Sequence, residues 1–156
     1  LSVRRELRDG FELDDDRDRV DVDAVHAFIS EQSYWGAGRS REAVERTIRG
    51  STRVVGLYRG AEQVGFARAV SDEVTVAYLA DVYVLPAHRR RGLGLELVRE
   101  IVDGGGEPAE PGGSLSDVRW LLHTADAQGL YAKLGFSDAP PIYPLMERGR
   151  SSLPGP

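Results

Sequence analysis

The chain has 156 residues, 41% of them hydrophobic and 29% charged, with a formal net charge of −5. That balance predicts one globular domain with a single core, and the acidic excess argues against a nucleic-acid-binding role while leaving cationic acceptors open. With no cysteine there is no disulfide framework, thiolate nucleophile or zinc–cysteine site. No apolar run approaches the ~18 residues of a membrane span, so a cytoplasmic protein with no membrane partner is expected.

Residues 1–7 read as a short strand, followed by an acidic run around Asp14 to Asp23. The run is expected to be a solvated loop whose last aspartates cap a helix. Val22, Val25, Phe28 and Ile29 then mark an amphipathic helix to about Ser30. Residues 32–38, Q-S-Y-W-G-A-G, form a glycine-rich loop carrying Tyr34 and Trp35. Large aromatics on such a loop either pack on the core or wall an acceptor pocket. Ser40 is the expected N-cap of a second helix, with Ala43, Val44, Thr47 and Ile48 facing inward.

Three antiparallel strands are predicted next, at 52–58, 62–70 and 74–85, with turn signals at Arg59-Gly60 and Ser71-Asp72. The third carries the run Y-L-A-D-V-Y-V-L from Tyr78 to Leu85, apolar on both faces and stopped by Pro86. Arg89-Arg90-Arg91-Gly92-Leu93-Gly94 follows as a basic turn, and Leu93, Leu97, Val98, Ile101 and Val102 recur at helical spacing. A helix therefore starts at the turn. Its first N–H groups and dipole favour an anion, and Gly92 and Gly94 let one approach the backbone.

Residues 103–117 are rich in Gly and Pro and read as a loop. The segment 118–123 (V-R-W-L-L-H) is the next strand, parallel to 78–85 because a helix joins the two. A short helix over 124–133 ends at Leu134-Gly135-Phe136, with Gly135 at C′. Residues 142–147 (I-Y-P-L-M-E) read as a last strand, so the domain spans 1–148 and 149–156 form a tail.

Other phosphate loops fail on residue identity. A Walker loop needs G-x-x-x-x-G-K-[ST], but the only lysine is Lys133, and a dinucleotide fingerprint lacks its third glycine because Leu97 stands there. Arg89-x-x-Gly92-x-Gly94 instead resembles the pyrophosphate motif [Q/R]-x-x-G-x-[G/A] of the GNAT superfamily of acyl-CoA-dependent N-acetyltransferases. Ala127, Leu130, Tyr131, Lys133, Gly135 and Phe136 match that family's later motif N-x-x-A-x-x-L-Y-x-K-x-G-F. Thr124 departs from it in place of Asn, and Asp126 either substitutes for that Asn or only caps. The bland alternative is a strand–turn–helix with a basic surface turn.

The resemblance implies an α+β, GNAT-type acyl-CoA N-acyltransferase fold. Its centre is a mixed, mostly antiparallel twisted sheet with helices on both faces and a splayed parallel strand pair. It implies acetyl-CoA as co-substrate, with the pantetheine arm lying along Val82, Tyr83 and Val84. The 3′,5′-ADP pyrophosphate would rest on Arg89, Arg90, Arg91, Gly92, Leu93 and Gly94, with Asp126 and Tyr131 also near the cofactor. Tyr131 would protonate the departing thiolate, or only hydrogen-bond the sulfur. A backbone N–H near Tyr83 or Val84 would face the developing negative charge on oxygen.

The base is open. Asp81, the one charge in its strand, either titrates high as a base or anchors loop structure. Ala80 stands where some polyamine-type relatives carry Glu. His123 either accepts a proton or caps a strand end at the surface. Glu73 and Glu31 are weaker candidates, and His26 and His88 are given no role. No metal site is expected. Tyr34, Trp35 and His123 are placed on the acceptor side, and the acceptor is a small-molecule or peptide amine. Many relatives pair, which leaves a homodimer open; a non-catalytic acyl-CoA sensor is the second reading.

Overall fold

A computed structural model describes residues 2–104, 115, 117–138 and 145–149. Of the predicted last strand at 142–147, residues 142–144 lie outside the described residues and 145–147 form no strand; most of the 103–117 loop and the tail beyond 149 also lie outside them. Six strands form one sheet in sequence order: β1 (Arg4–Glu6), β2 (Phe11–Asp14), β3 (Arg53–Arg59), β4 (Glu62–Ser71), β5 (Val76–Val84) and β6 (Arg119–Leu121). All neighbours are antiparallel except β5 and β6.

Helices α1 (Val22–Glu31) and α2 (Arg41–Gly50) cover one face of the sheet. Asp21 and Ser40 cap them by accepting from Ala24 N and Ala43 N, as their sequences predict. Helix α3 (Leu93–Asp103) and the short α4 (Gln128–Ala132) cover the other face. Two cores result. Leu97, Val98 and Ile101 pack with Leu57, Ala69 and Leu79 under α3. Val25, Ile29, Val44 and Ile48 pack with Val54, Phe66 and Tyr83 under α1 and α2. Each fully buried aliphatic side chain contributes roughly 1.5–3 kcal/mol of transfer free energy.

The acidic N-terminal run is not simply a solvated loop. Residues 11–14 (F-E-L-D) form β2, paired with β1 and β3 and buried on both faces. Glu12 and Asp14 tolerate burial because Arg19 pairs with both, and Arg4 also reaches Glu12. The prediction for Asp21 holds; Asp16 caps a separate 3₁₀ turn at 17–19.

Helix α3 is tied to the sheet by a buried carboxylate. Glu100 accepts from Arg5 Nε at 2.9 Å and from Arg53 at 3.2 Å, while Arg53 also donates to the Glu100 carbonyl at 2.7 Å. A guanidinium over the last carbonyls of a helix complements its dipole. The C-terminal half of α3 is thereby tied to β1 and β3.

Candidate active site

The site begins where β5 and β6 stop pairing. Their ladder comprises Val76 with Arg119, Ala77 with Trp120 and Tyr78 with Leu121. β5 continues to Val84 against β4, where Gly65 faces Val84, so from Leu79 onward its outer edge has no ladder partner among the described residues. Peptide groups on that edge require partners.

A bulge shapes this stretch. Phe66 faces Tyr83 and Arg68 faces Ala80, so Asp81 and Val82 together oppose Ala67. Asp81 sits at φ 53°, in the left-handed region that Asp tolerates better than most residues. Beyond the bulge, a Cβ at Gly65 would lie 2.8 Å from the Tyr83 carbonyl oxygen, so only glycine permits the close approach of β4 where it faces Val84.

Beyond the bulge the strand alternates strictly. Leu85 N donates to Val64 O on β4, so the peptide groups of Val84 point to the open edge and those of Tyr83 point to β4. Of Tyr83 and Val84, it is Val84 that offers a free-edge N–H. The Tyr83 ring is buried on the α1 face, stacked on Phe28 at 3.9 Å.

The turn after β5 delivers the start of α3. Gly92 caps the helix at φ 75° and Arg90 is also left-handed at φ 63°. The first intrahelical bond comes from Glu96 N to Gly92 O, leaving the N–H groups of Leu93, Gly94 and Leu95 without partners inside the helix. A Cβ built on Gly92 meets no atom of the described residues within 4 Å; one on Gly94 would lie 3.1 Å from Leu130 of α4. Arg90 and Arg91 are exposed. Arg89 turns back, and its Nε donates to Val84 O at 2.9 Å, closing the strand end.

Across the notch, Thr124 Oγ1 accepts from Ala127 N at 3.0 Å. The predicted helix over 124–133 therefore starts only at Gln128, because that side chain closes a turn in place of the first helical bonds. Thr124 closes that turn, and neither it nor the exposed Asp126 caps α4, whose N-cap residue is Ala127. Phe136 N and Gly135 N donate to Tyr131 O and Ala132 O, with Gly135 at φ 84°, which is a Schellman ending. Tyr131 is buried there, edge-on to Phe136. Burial, with the Tyr34 ring oxygen and the Asp126 charge adding to it, pushes its phenol up to about 12.

The aromatic loop closes the α1 side. The backbone N–H of Ala125 donates to Tyr34 Oη at 3.1 Å, bridging the loop to the β6–α4 connector, and the Tyr34 and Trp35 rings meet edge-on at 5.0 Å. Asp81 is fully engaged. Trp35 Nε1 donates to Oδ1 at 2.9 Å, and Arg39 and Arg68 donate to Oδ2 at 2.7 and 2.6 Å. Burial pushes this carboxyl up, but the Arg68 and Arg39 guanidiniums outweigh it and hold Asp81 below its ordinary value. Of its two sequence readings, this geometry matches the anchor, made by side chains rather than backbone N–H groups. His123 stands apart from that cluster, with Nδ1 2.7 Å from Tyr78 Oη.

Arg39, Arg68 and Tyr78 were missed by sequence reasoning. Arg68, a charge within the run V-G-F-A-R-A-V and three positions after Gly65, is the one with a signal. Among the described residues, no group of three or more acidic or histidine side chains is placed to hold a metal, and no helix is long and apolar enough to cross a membrane.

The family model described as an acetyltransferase (GNAT) domain matches residues 50–138, more than half of the chain. A Gibberella zeae protein described as an acetyltransferase is 32% identical over 142 residues, covering 76% of this chain and 75% of its own. A mycothiol acetyltransferase of Saccharopolyspora erythraea is 31% identical over 98 residues, covering 62% of this chain, but the match spans only 32% of that longer protein. The crystal structure of a GNAT-family protein from Xanthomonas campestris pv. campestris superposes with a TM-score of 0.78 at 36% identity, over 92% of this chain and 95% of that one. The open β5 edge, the anion-receptive start of α3 and these likenesses agree: the chain belongs to the GNAT acetyltransferase family.

Proposed function

We propose that this protein is an N-acetyltransferase that moves the acetyl group of acetyl-CoA to a primary amine of a small molecule or peptide by direct attack. The observation that carries the reading is the pairing of two features in one notch. One is a strand edge that, among the described residues, has no ladder partner from Leu79 to Val84; the other is a helix start at Gly92 whose first N–H groups have no partners inside the helix. The family uses acetyl-CoA, and these residues fit it. Arg90, Arg91 and the N–H groups of Leu93 and Gly94 suit a pyrophosphate, and the peptide groups of Val82 suit the amides of an extended arm.

When bound, acetyl-CoA supplies a thioester carbonyl open to an amine. The Val84 N–H gives a donor for that carbonyl oxygen. Tyr131 keeps its proton throughout the physiological range and holds it for the leaving sulfur. Tyr34 and Trp35 wall the approach of the acceptor from the α1 side. Because Asp81 is saturated by three donors, the reading does not use it as the base. The competing reading, a non-catalytic acyl-CoA sensor, rests on that saturated carboxylate.

A panel of amino acids, polyamines, aminoglycosides and peptides with free N-termini, incubated with acetyl-CoA and followed by release of free thiol, separates the two. Turnover with any amine supports the enzyme. Thermal protection by acetyl-CoA with no turnover across the panel supports the sensor.

A further inference from the structure

Resting on the acetyltransferase reading, we infer that His123 is the base that deprotonates the acceptor amine, with Tyr78 as the positioning residue that fixes its tautomer. An amine arrives as an ammonium and has no lone pair until a proton leaves. The two acid–base groups nearest to the reading's chemistry cannot take that proton. Asp81 is held ionised by Arg39 and Arg68 and accepts three hydrogen bonds. Tyr131 is a buried phenol that stays protonated.

The Tyr78–His123 pair stands at the floor of the notch. Tyr78 is opposite Leu121 in the last rung of the β5–β6 ladder, where the two strands part. Its neighbours Ala77 and Leu79 are buried on the α3 side, so its ring lies on the opposite face, the one covered further on by α1 and the aromatic loop. His123 opens the connector from β6 to α4. Two residues later, Ala125 donates to Tyr34 Oη, and the charge of Asp126 on the same connector is felt by Tyr131. The connector thus carries the imidazole, the acceptor wall and the neighbourhood of the acid in order along one side of the notch. Tyr78 is 38% exposed, and His123 is exposed as well, so a proton collected there can pass to water.

The 2.7 Å contact joins Tyr78 Oη to Nδ1, not Nε2. With Nδ1–H donating to the phenol oxygen, Nε2 carries the free lone pair. The ammonium proton passes to Nε2, and the Nδ1–H keeps its bond to the phenol oxygen. The freed nitrogen pair forms the nitrogen–carbon bond while the carbon–sulfur bond breaks with its electrons going to sulfur. Tyr131 gives its proton to sulfur and regains one from the acylated nitrogen. His123 releases its own to water, so one proton is liberated per turnover. Facing the pair are the Arg68 guanidinium from β4 and the Asp81 carboxylate from β5, both felt by Tyr78, with Asp126 further along the connector.

Two measurements on the full chain test this. Nitrogen-15 NMR of histidine-labelled protein at pH 8, with the His123 signals assigned through H123Q, should find the Nδ1–H tautomer in the wild type and its loss in Y78F. An Nε2–H tautomer in the wild type overturns the inference. With the fastest amine of the panel, His123→Ala should lower kcat/KM on the order of 100-fold at neutral pH and flatten the acid limb. Wild-type kcat/KM in H123A refutes the base role while leaving the acetyltransferase reading intact. Absence of turnover with every amine, despite acetyl-CoA binding, defeats that reading and this one with it.

Discussion

Asp81→Asn tests whether the charge inside β5 is an anchor or a reagent. Asn keeps the shape and tolerates the left-handed backbone at φ 53°, so the substitution removes charge and little else. The carboxylate side chain is 4% exposed, against 14% for Arg68 and 22% for Arg39. Removing one partner of a buried ion pair costs about 3–5 kcal/mol, but two guanidiniums that keep some water recover part of it, leaving about 2–3 kcal/mol. For a chain of this size that corresponds to a fall of about 4–12 °C in melting temperature. The pH dependence has a definite sign. Asp81 titrates below its ordinary value when folded, so its contribution is complete above about pH 4 and is lost as the pH falls through the folded value. Thermal melts from pH 3 to pH 8 should show a constant gap between wild type and D81N above pH 5 that closes on acidification. A gap under 2 °C at pH 7, or one unchanged at pH 3, refutes the anchor. So does a variant that melts like the wild type yet loses turnover 100-fold, which would return Asp81 to the role of base.

Tyr131→Phe should retain acetyl-CoA binding by calorimetry and lower kcat on the order of 100-fold; equal turnover removes the phenol from the mechanism. Because burial pushes that phenol up to about 12, wild-type activity should show no loss from its ionisation as the pH rises to 10. Gly92→Ala should cost about 1 kcal/mol for its positive φ, read as a small shift in melting. Gly92→Glu should weaken acetyl-CoA binding about 10-fold beyond Gly92→Ala, and equal affinity in the two variants would show that no anion binds before α3. Glu100→Gln should lower the melting temperature by about 5 °C or more by leaving Arg5 and Arg53 without their shared carboxylate; an unchanged melt would mean that apolar packing alone holds α3.

What the sequence makes legible is what local chemistry decides. Ser40 and Asp21 each cap the helix their spacing announces. Gly92 and Gly135 take the left-handed positions that end one element or begin another. The β3–β4–β5 meander follows from its turns, with ends within two residues of the expected ones. The failures share one cause, which is pairing across long stretches of chain. F-E-L-D at 11–14 carries two charges, and only Arg19 and Arg4 make its burial tolerable. Glu100 occupies the inner face of α3 at the spacing of Leu93 and Leu97, and reads as an interruption until Arg5 and Arg53 arrive from strands 95 and 47 residues away.

Asp81 shows the same limit at the site itself. Its sequence context raises the question of base or anchor, and the answer depends on Trp35, Arg39 and Arg68, at separations of 46, 42 and 13 residues. No glycine marks the bulge that turns it, because Asp can take the left-handed conformation unaided. The same bulge has a functional consequence. Two residues of β5 opposing Ala67 on β4 bend the strand where its other edge has already lost β6, so the bend and the open edge coincide. A regular β5 would keep the register that carries β6 alongside it to Val84 and would close the notch. The carboxylate that braces the bulge thus leaves the edge at Val84 open, and it does so as a fixed charge between two arginines.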